Sequence, residues 1–485
     1  MLLPAPTTAA EAATARLAAS ALARDGAAAD LLAWFDELRS RSYTEVEQIP
    51  LDELTGWSTD PASGNIVHDS GRFFVVEGLD VHVPGGPVPR WRQPIINQPE
   101  TGVLGILVKE FDGVPHLLMQ AKVEPGNCNG LQLSPTVQAT RSNYTGAHRG
   151  RGVPYLEHFT DPAAGAVLAD VRQSEQGAWF HQKRNRNMVV EARGEVPVLD
   201  GFRWFTLGQV HQLLAADDLV NMDTRTVLSC LPFTGRGVRR AVGSGGDWFR
   251  DALLRSCVAD EGSRHPDEEV LSWITRARSA TDVQTRRIPL AEVDGWRRVD
   301  GRIRHDSGRF FDVMGVRVRA RGREVDSWTQ PMIEAPGPGV VALVVRRIGG
   351  VLHALMHGRV EPGFVDVVEL APTVQCKPEN YSVLTPAARP PFLDLVLAAA
   401  PEDVRFDAVH SEEGGRFYHT RNRYLVVEVP PERELEHPDF RWLTLDQLAG
   451  LLRHSHYLNV QARSLVACLH SLICAPAAPT PEVSP

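Results

Sequence analysis

His68-Asp69-Ser70-Gly71-Arg72-Phe73-Phe74 recurs letter for letter as His305-Asp306-Ser307-Gly308-Arg309-Phe310-Phe311, 237 positions further along the chain. The residues on either side recur as well. Upstream, Ile49-Pro50-Leu51 returns as Ile288-Pro289-Leu290, each followed six positions later by Trp57 or Trp296. Downstream, Trp91-x-Gln93-Pro94 returns as Trp328-x-Gln330-Pro331, and Val123-Glu124-Pro125-Gly126 as Val360-Glu361-Pro362-Gly363. Pro135-Thr136-Val137-Gln138 matches Pro372-Thr373-Val374-Gln375, and Asn143-Tyr144 matches Asn380-Tyr381. Arg184-Asn185-Arg186 matches Arg421-Asn422-Arg423, Phe202-Arg203-Trp204 matches Phe440-Arg441-Trp442, and Arg225 matches Arg463. The offset stays between 237 and 239 throughout. A fixed period of this kind decides the architecture before any local reading does. Two copies of one unit, 31–231 and 270–472, follow an Ala-rich N-terminal tail (1–30). A Gly- and charge-rich stretch, 232–269, is expected to link them, and 473–485 to form a disordered tail.

Each unit repeats the same local periodicities. LLAWFDELRSRS from Leu31 and LSWITRARSA from Leu271 place apolar residues three and four apart, as a helix with one buried face requires. Short β-branched runs follow: RFFVVEGLDVHV from Arg72, GVLGILVKEF from Gly102, HLLMQAKV from His116 and NMVVEA from Asn187, with RYLVVEV from Arg423 in the second unit. Thr206 and Thr444 sit as N-caps before the amphipathic stretches TLGQVHQLLA and TLDQLAGLLR. Mixed strands with few helices predict an α+β fold. A further helix is expected around Trp248–Val258, within the linker.

Composition excludes several functions. A net charge of −9 without a basic block leaves nothing to hold nucleic acid or an anionic membrane. The six cysteines form no CxxC or zinc-like cluster, and Cys230 and Cys468 occupy matching apolar runs. Buried free thiols and a cytoplasmic location are expected. The N-terminus lacks the cationic start and long apolar core of a signal peptide, and no run approaches the ~18 apolar residues of a membrane span. No GxGxxG follows a strand, and Walker A and HExxH are missing, so no nicotinamide-binding Rossmann domain is expected. His353 and His357 lie on a strand pattern, so neither a metal site nor any cofactor is predicted.

The candidate contacts are polar and repeated. Thr136, Gln138, Thr140, Ser142 and Asn143 crowd donors and acceptors into one short stretch, mirrored by Thr373, Gln375, Lys377, Asn380 and Tyr381. Arg184-Asn185-Arg186 and Arg421-Asn422-Arg423 suit a pyrophosphate, because guanidinium groups take phosphate oxygens two at a time. A ladder of salt bridges accounts for them equally well. Arg72, Arg309, Arg225 and Arg463 complete the cationic candidates. Trp57 and Trp296 are candidate platforms for a base, with a core role as the alternative. The glycines of HDSGRFF are expected in turns with the Phe pairs inside, and VEPG as a strand end with a turn.

HDSGRFF, the WxQP step, PTVQ with its following NY, and EGGRFYHTRNRYLVVE (Glu413–Glu428) together resemble the nucleoside-diphosphate-hexose 2,3-dehydratases, over almost everything from Leu31 to Leu472. The resemblance implies a pair of Nudix-like domains, each with a nucleotide-sugar pocket, in a homodimer. The Nudix hydrolase signature is missing, so metal-dependent pyrophosphate cleavage is not implied. What is implied is loss of water across C2 and C3 of dTDP-4-keto-6-deoxy-glucose in deoxysugar biosynthesis, with a separate NADPH-dependent 3-ketoreductase acting on the product. Such a reaction needs a base at C3–H, an acid at the C2 hydroxyl and a donor for the C4 oxyanion. Where the first unit has Phe180-His181-Gln182, the second has Phe417-Tyr418-His419, and His410 stands where the first has Gln173. Tyr418 and His419 make the second unit the expected catalytic half, with His181 as the rival. Strand alternation predicts opposite faces for Tyr418 and His419. Two other classes stay open: a Nudix-like nucleotide-sugar hydrolase, and a non-catalytic dTDP-sugar-binding protein.

Overall fold

The computed structural model describes residues 9–24, 28–140, 152–161, 165–243, 247–320 and 326–475. Ser142 and Asn143 lie outside the described residues, as does 476–485 of the C-terminal tail. Each unit is built on a seven-stranded mixed sheet. In the first unit the order is Gly165–Ser174, Arg184–Ala192, Gly102–Phe111, Val114–Val123, Phe202–Thr206, with the short strand Leu131–Ser134 added to the fourth and Val137–Ala139 to the third. Arg184–Ala192 runs parallel to Gly102–Phe111 and the remaining pairs are antiparallel. The second unit repeats this with Val404–Ser411, Arg421–Val429, Gly339–Ile348, Val351–Val360 and Phe440–Leu443. The α+β expectation holds. Both closing helices, Leu207–Leu214 and Leu445–Leu452, begin with full capping boxes at Thr206 and Thr444.

Each unit also carries a smaller sheet, and these sheets exchange strands. Thr44–Ile49 of the first unit pairs with Asp312–Ala320 of the second, while Gln284–Ile288 of the second pairs with Val75–His82 of the first. Charge explains the choice. Glu45 and Glu47 lie directly across from Arg319 and Arg317, forming ion pairs of 3.2 and 2.8 Å. Arg286 and Arg287 reach Asp80 and Glu77 at 3.3 and 3.4 Å. On its own unit's sheet, each leading strand would meet like charges instead. The exposed Glu45 and Glu47 pairs add little stability, but like charges opposed across a ladder are unfavourable, and that selects the exchanged pairing.

Several stretches do more than join or trail. Ala9–Leu22, within the expected tail, is a helix that buries Leu17, Ala18 and Ala21, and Ser20 Oγ donates to Pro115 O. Within 232–269, Arg236–Val242 and Trp248–Ser256 are helical, and Phe249, Leu253 and Leu254 enter the core. Trp248–Ser256 is the helix expected around Trp248–Val258, whereas composition rich in Gly and charge concealed Arg236–Val242.

The VEPG repeat is where the halves lock. Gly363 N donates to Gly177 O (2.7 Å) and Gln182 N to Gly363 O (2.8 Å), while Gly126 N donates to Gly414 O and His419 N to Gly126 O at the same two distances. A Cβ on Gly363 would run into Phe180 O, and one on Gly126 into Phe417 O. Gly363→Ala is therefore expected to lower stability by about 3 kcal/mol, read as a fall in the urea midpoint.

Glu369 crosses the same boundary. It is fully buried and accepts from Ser174 Oγ at 2.5 Å. Burial pushes its carboxyl up to about 7 from 4.5. Below 4.5 both folded and unfolded chains hold the proton. As pH rises toward 7 only the unfolded chain releases it, so stability falls by about 3 kcal/mol and then levels off. Glu369→Gln should flatten the difference in urea midpoint between pH 5 and pH 8.

Candidate active site

A cavity of about 710 Å³ opens between the second unit's large sheet and the first unit, a size suited to a nucleotide-sized ligand. One wall is the second unit's strand ends: Arg359 near the end of Val351–Val360 and Glu361 just after it, Gln375 and Cys376 on Val374–Cys376, and Asn422 at the start of Arg421–Val429. Lys377 follows as the N-cap of the short 3₁₀ turn Pro378–Ser382, which carries Asn380 and Tyr381. The facing wall comes from the first unit, as Val83–Gln93 and Gln176–Trp179. Trp296, His305 and Phe310 close one end.

Glu361 organises the middle of the cavity. Arg359 Nε and Gln375 Nε2 donate to its Oε1 at 2.8 and 2.9 Å, and the first unit's Ala178 N donates to Oε2 at 3.1 Å. Asn459, the N-cap of the last helix, donates to Gln375 Oε1 at 2.7 Å. Trp296 is fixed by its Nε1 donating to Arg92 O (3.0 Å) and by contact with Phe311 at 4.6 Å between centroids. Lys377 Nζ donates to Ala335 O at 2.7 Å and also to Pro336 O. Burial brings its ammonium down to about 8. Burial raises the Tyr381 phenol above 10, and pushes the Cys376 thiol up to about 12, where it is inert as a nucleophile. His305 Nδ1 lies 2.6 Å from Ser307 Oγ, and burial lowers its proton affinity.

Six sequence candidates therefore meet in one place: Trp296, Gln375, Lys377, Asn380, Tyr381 and Asn422. In the first unit, Gln138 repeats the Gln375 arrangement, donating to Glu124 Oε1 at 2.6 Å, and Thr140 follows the same short strand. Asn185 Oδ1 accepts from Gly102 N. Trp57 is buried, with its Nε1 donating to Thr329 O.

Other candidates serve the fold. Thr136 and Thr373 are buried bridges, their hydroxyls donating to Leu118 O and Leu355 O and accepting from Leu107 N and Val344 N. Arg186 and Arg423 form two-point surface pairs with Asp170 and Asp407, the ladder anticipated for them. Arg421 pairs with Asp218 at 3.1 Å, and Arg184 holds the matching position. Arg225 and Arg463 are fully buried: Arg225 donates to Val220 O and Ser411 O, and Arg463 to Leu458 O, Ser174 O and Thr226 Oγ1. With those donors spent on the chain itself, neither can serve a phosphate. Arg72 and Arg309 are exposed and do not line the cavity.

Tyr418, His419 and His181 also lie away from the cavity. Tyr418 packs with Met314, Val316, Val318 and Met332. The strand ends at Tyr418, and His419 turns to φ +46°, so the two rings stack at 4.0 Å instead of facing opposite ways. His181 is held by its N–H to Ile96 O, and burial lowers its imidazole. Missing from the sequence reading were Arg359, Glu361, His305, Gln176 and Trp179. The last two come from the first unit, and Glu413 and Arg416 hold the matching positions in the second. That difference between copies was the available signal.

The fold and cavity define a duplicated α+β protein with a nucleotide-sized site shared between its halves. The model for the NDP-hexose 2,3-dehydratase family matches residues 28–231 and again 267–469, and the chain belongs to that family. It is similar to a dTDP-4-dehydro-6-deoxy-alpha-D-glucopyranose 2,3-dehydratase of Saccharopolyspora spinosa, 54% identical over 90% of each chain. Proteins of the same description from Amycolatopsis orientalis and Streptomyces violaceoruber are 48% and 50% identical, covering 95% and 91% of this chain and 94% and 96% of theirs. Among the described residues, no helix is long and apolar enough to cross a membrane.

Proposed function

We propose that the protein removes water across C2 and C3 of dTDP-4-keto-6-deoxy-D-glucose in the second unit's cavity, giving dTDP-3,4-diketo-2,6-dideoxyglucose. The observation that supports this most is one cavity that combines an aromatic end with Lys377 and Tyr381, whose proton affinities burial has moved. The C4 ketone acidifies C3–H. Lys377 takes that proton, and the electron pair passes into the enolate with charge on the C4 oxygen. The C2–O bond then breaks, the pair leaving with oxygen, which Tyr381 protonates to water. The C2=C3 enol left behind tautomerises, losing its C3 O–H proton and gaining one at C2, to the 3,4-diketone. With an affinity near 8, about a tenth of Lys377 is neutral at pH 7. Asn380 Oδ1 accepts from Phe310 N (3.1 Å), which leaves its NH₂ as the donor for the C4 oxyanion. Glu361 is less suited as the base, because three of its four acceptor sites are taken by Arg359, Gln375 and Ala178. No net redox occurs. A cytoplasmic homodimer feeding an NADPH-dependent 3-ketoreductase belongs to the same proposal.

The test is incubation of the purified protein with dTDP-4-keto-6-deoxy-glucose, with chelator and without nicotinamide. Mass spectrometry should show loss of one water, and trapping with a 3-ketoreductase and NADPH should yield a 2,6-dideoxy sugar. Bound but unchanged substrate would point to a binding protein, and release of a nucleoside monophosphate to a hydrolase.

A further inference from the structure

Behind the cavity wall sits Glu412, 1% exposed, whose two oxygens collect four donors. Asn422 Nδ2 and Tyr424 Oη donate to Oε1 at 2.5 and 2.8 Å, and Gln176 Nε2 and Gln461 Nε2 to Oε2 at 2.7 and 3.4 Å. That fills an ionised carboxylate's acceptor capacity. It also settles how the amides are turned, because a carboxylate accepts only from their NH₂ groups. Gln176 and Gln461, 2% and 5% exposed, both line the cavity, and the carbonyl oxygen of each is buried with no hydrogen-bond partner among the described residues. A buried acceptor left unpaired is costly, and two of them on one cavity wall call for a ligand that supplies donors.

We infer that Gln176 Oε1 and Gln461 Oε1, held in place by Glu412, are a paired acceptor for the vicinal C2 and C3 hydroxyls of the sugar; this rests on the reading of the cavity as a dTDP-hexose site. A thymine edge fits them poorly, since its single N–H lies between two carbonyl acceptors that would face acceptors. A diol offers two O–H donors. Gln176 comes from the first unit and Gln461 from the second, so the specificity element exists only because the halves are joined. The positions that match Gln176, Gln461 and Glu412 in the opposite copies are Glu413, Asp223 and Glu175. Burial raises the proton affinity of all three carboxyls there, so the two copies have diverged at this wall.

Calorimetric titration tests this with dTDP, dTDP-glucose, and its 2-deoxy and 3-deoxy analogues. dTDP-glucose keeps both hydroxyls and lacks the C4 ketone, so it binds without turning over. The wild-type protein should bind each deoxy analogue roughly ten- to a hundredfold more weakly than dTDP-glucose. Gln461→Leu and Gln176→Leu should weaken dTDP-glucose to a similar degree and leave dTDP unchanged, which also reports that the variants are folded. Equal binding of dTDP-glucose and both deoxy analogues by the wild-type protein would overturn the inference without any variant. Equal weakening of dTDP and dTDP-glucose would overturn it too, assigning the acceptors to the nucleotide. Failure of the wild-type protein to bind any dTDP ligand would instead overturn the underlying dTDP-hexose reading, and the inference with it.

Discussion

Arg463→Met is expected to cost about 4 kcal/mol of stability while leaving dTDP affinity intact below the unfolding transition. The side chain is fully buried on helix Val460–Ile473, packed against Met222–Ser229 of the other unit. Its Nη1 donates to Leu458 O at 2.7 Å, its Nη2 to Ser174 O at 2.6 Å, and its Nε to Thr226 Oγ1 at 2.5 Å. Two of those acceptors belong to the first unit, so one guanidinium ties three strands of chain across the boundary. Arg225 does the same in reverse, with Ser411 O and Ser464 Oγ as its cross-unit acceptors. Methionine fills much of the volume but satisfies none of the three acceptors, and each unpaired buried group costs about 1–3 kcal/mol. Lysine would not rescue, since a single ammonium cannot copy the planar fork. Arg423→Ala is the control: its partner Asp407 is exposed, so the loss should stay within about 0.5 kcal/mol. Urea midpoints followed by circular dichroism read all three. An unchanged Arg463→Met midpoint with weakened dTDP binding would return this residue to the ligand.

That contrast shows why part of the molecule was legible from the chain and part was not. Repeats mark what both units need, and Arg225, Arg463 and the VEPG glycines are repeated because they join the units, which no local pattern can express. Strand and helix runs such as Gly102–Phe111 and Leu207–Leu214 follow from periodicity and capping within one segment. The exchanged strands are non-local, yet their charges were on view: Glu45 and Glu47 lead one unit, Arg286 and Arg287 the other. In the site, the PTVQ…NY stretch pointed to Gln375, Lys377, Asn380 and Tyr381 because so many polar groups crowd a short segment. Gln176, Trp179 and Arg359 were passed over because differences between the copies were weighed only at Phe180-His181-Gln182 and Gln173. At those positions the copies carry Glu413, Arg416 and Lys122 instead, and the difference is what makes the cavity. Tyr418 and His419 also differ between copies, but they fall where the strand ends and the chain turns away.

Lys377→Met is expected to lower kcat about 10³-fold with dTDP binding near wild type, the loss typical of removing a positioned general base. The pH dependence carries the sharper prediction. Activity through neutral Lys377 rises with pH and levels off above about 8, because burial lowers the ammonium's proton affinity to that value. Lys377→Arg should stay inactive over the same range, since a guanidinium keeps its proton. Tyr381→Phe should behave differently, because it removes the acid and leaves the base. In D₂O, that variant should still exchange the C3 hydrogen of dTDP-4-keto-6-deoxy-glucose while failing to lose water, whereas Lys377→Met should do neither. Exchange that survives Lys377→Met would move the base elsewhere. His305 would be the next group to test, as the other proton acceptor on this wall whose affinity burial has lowered.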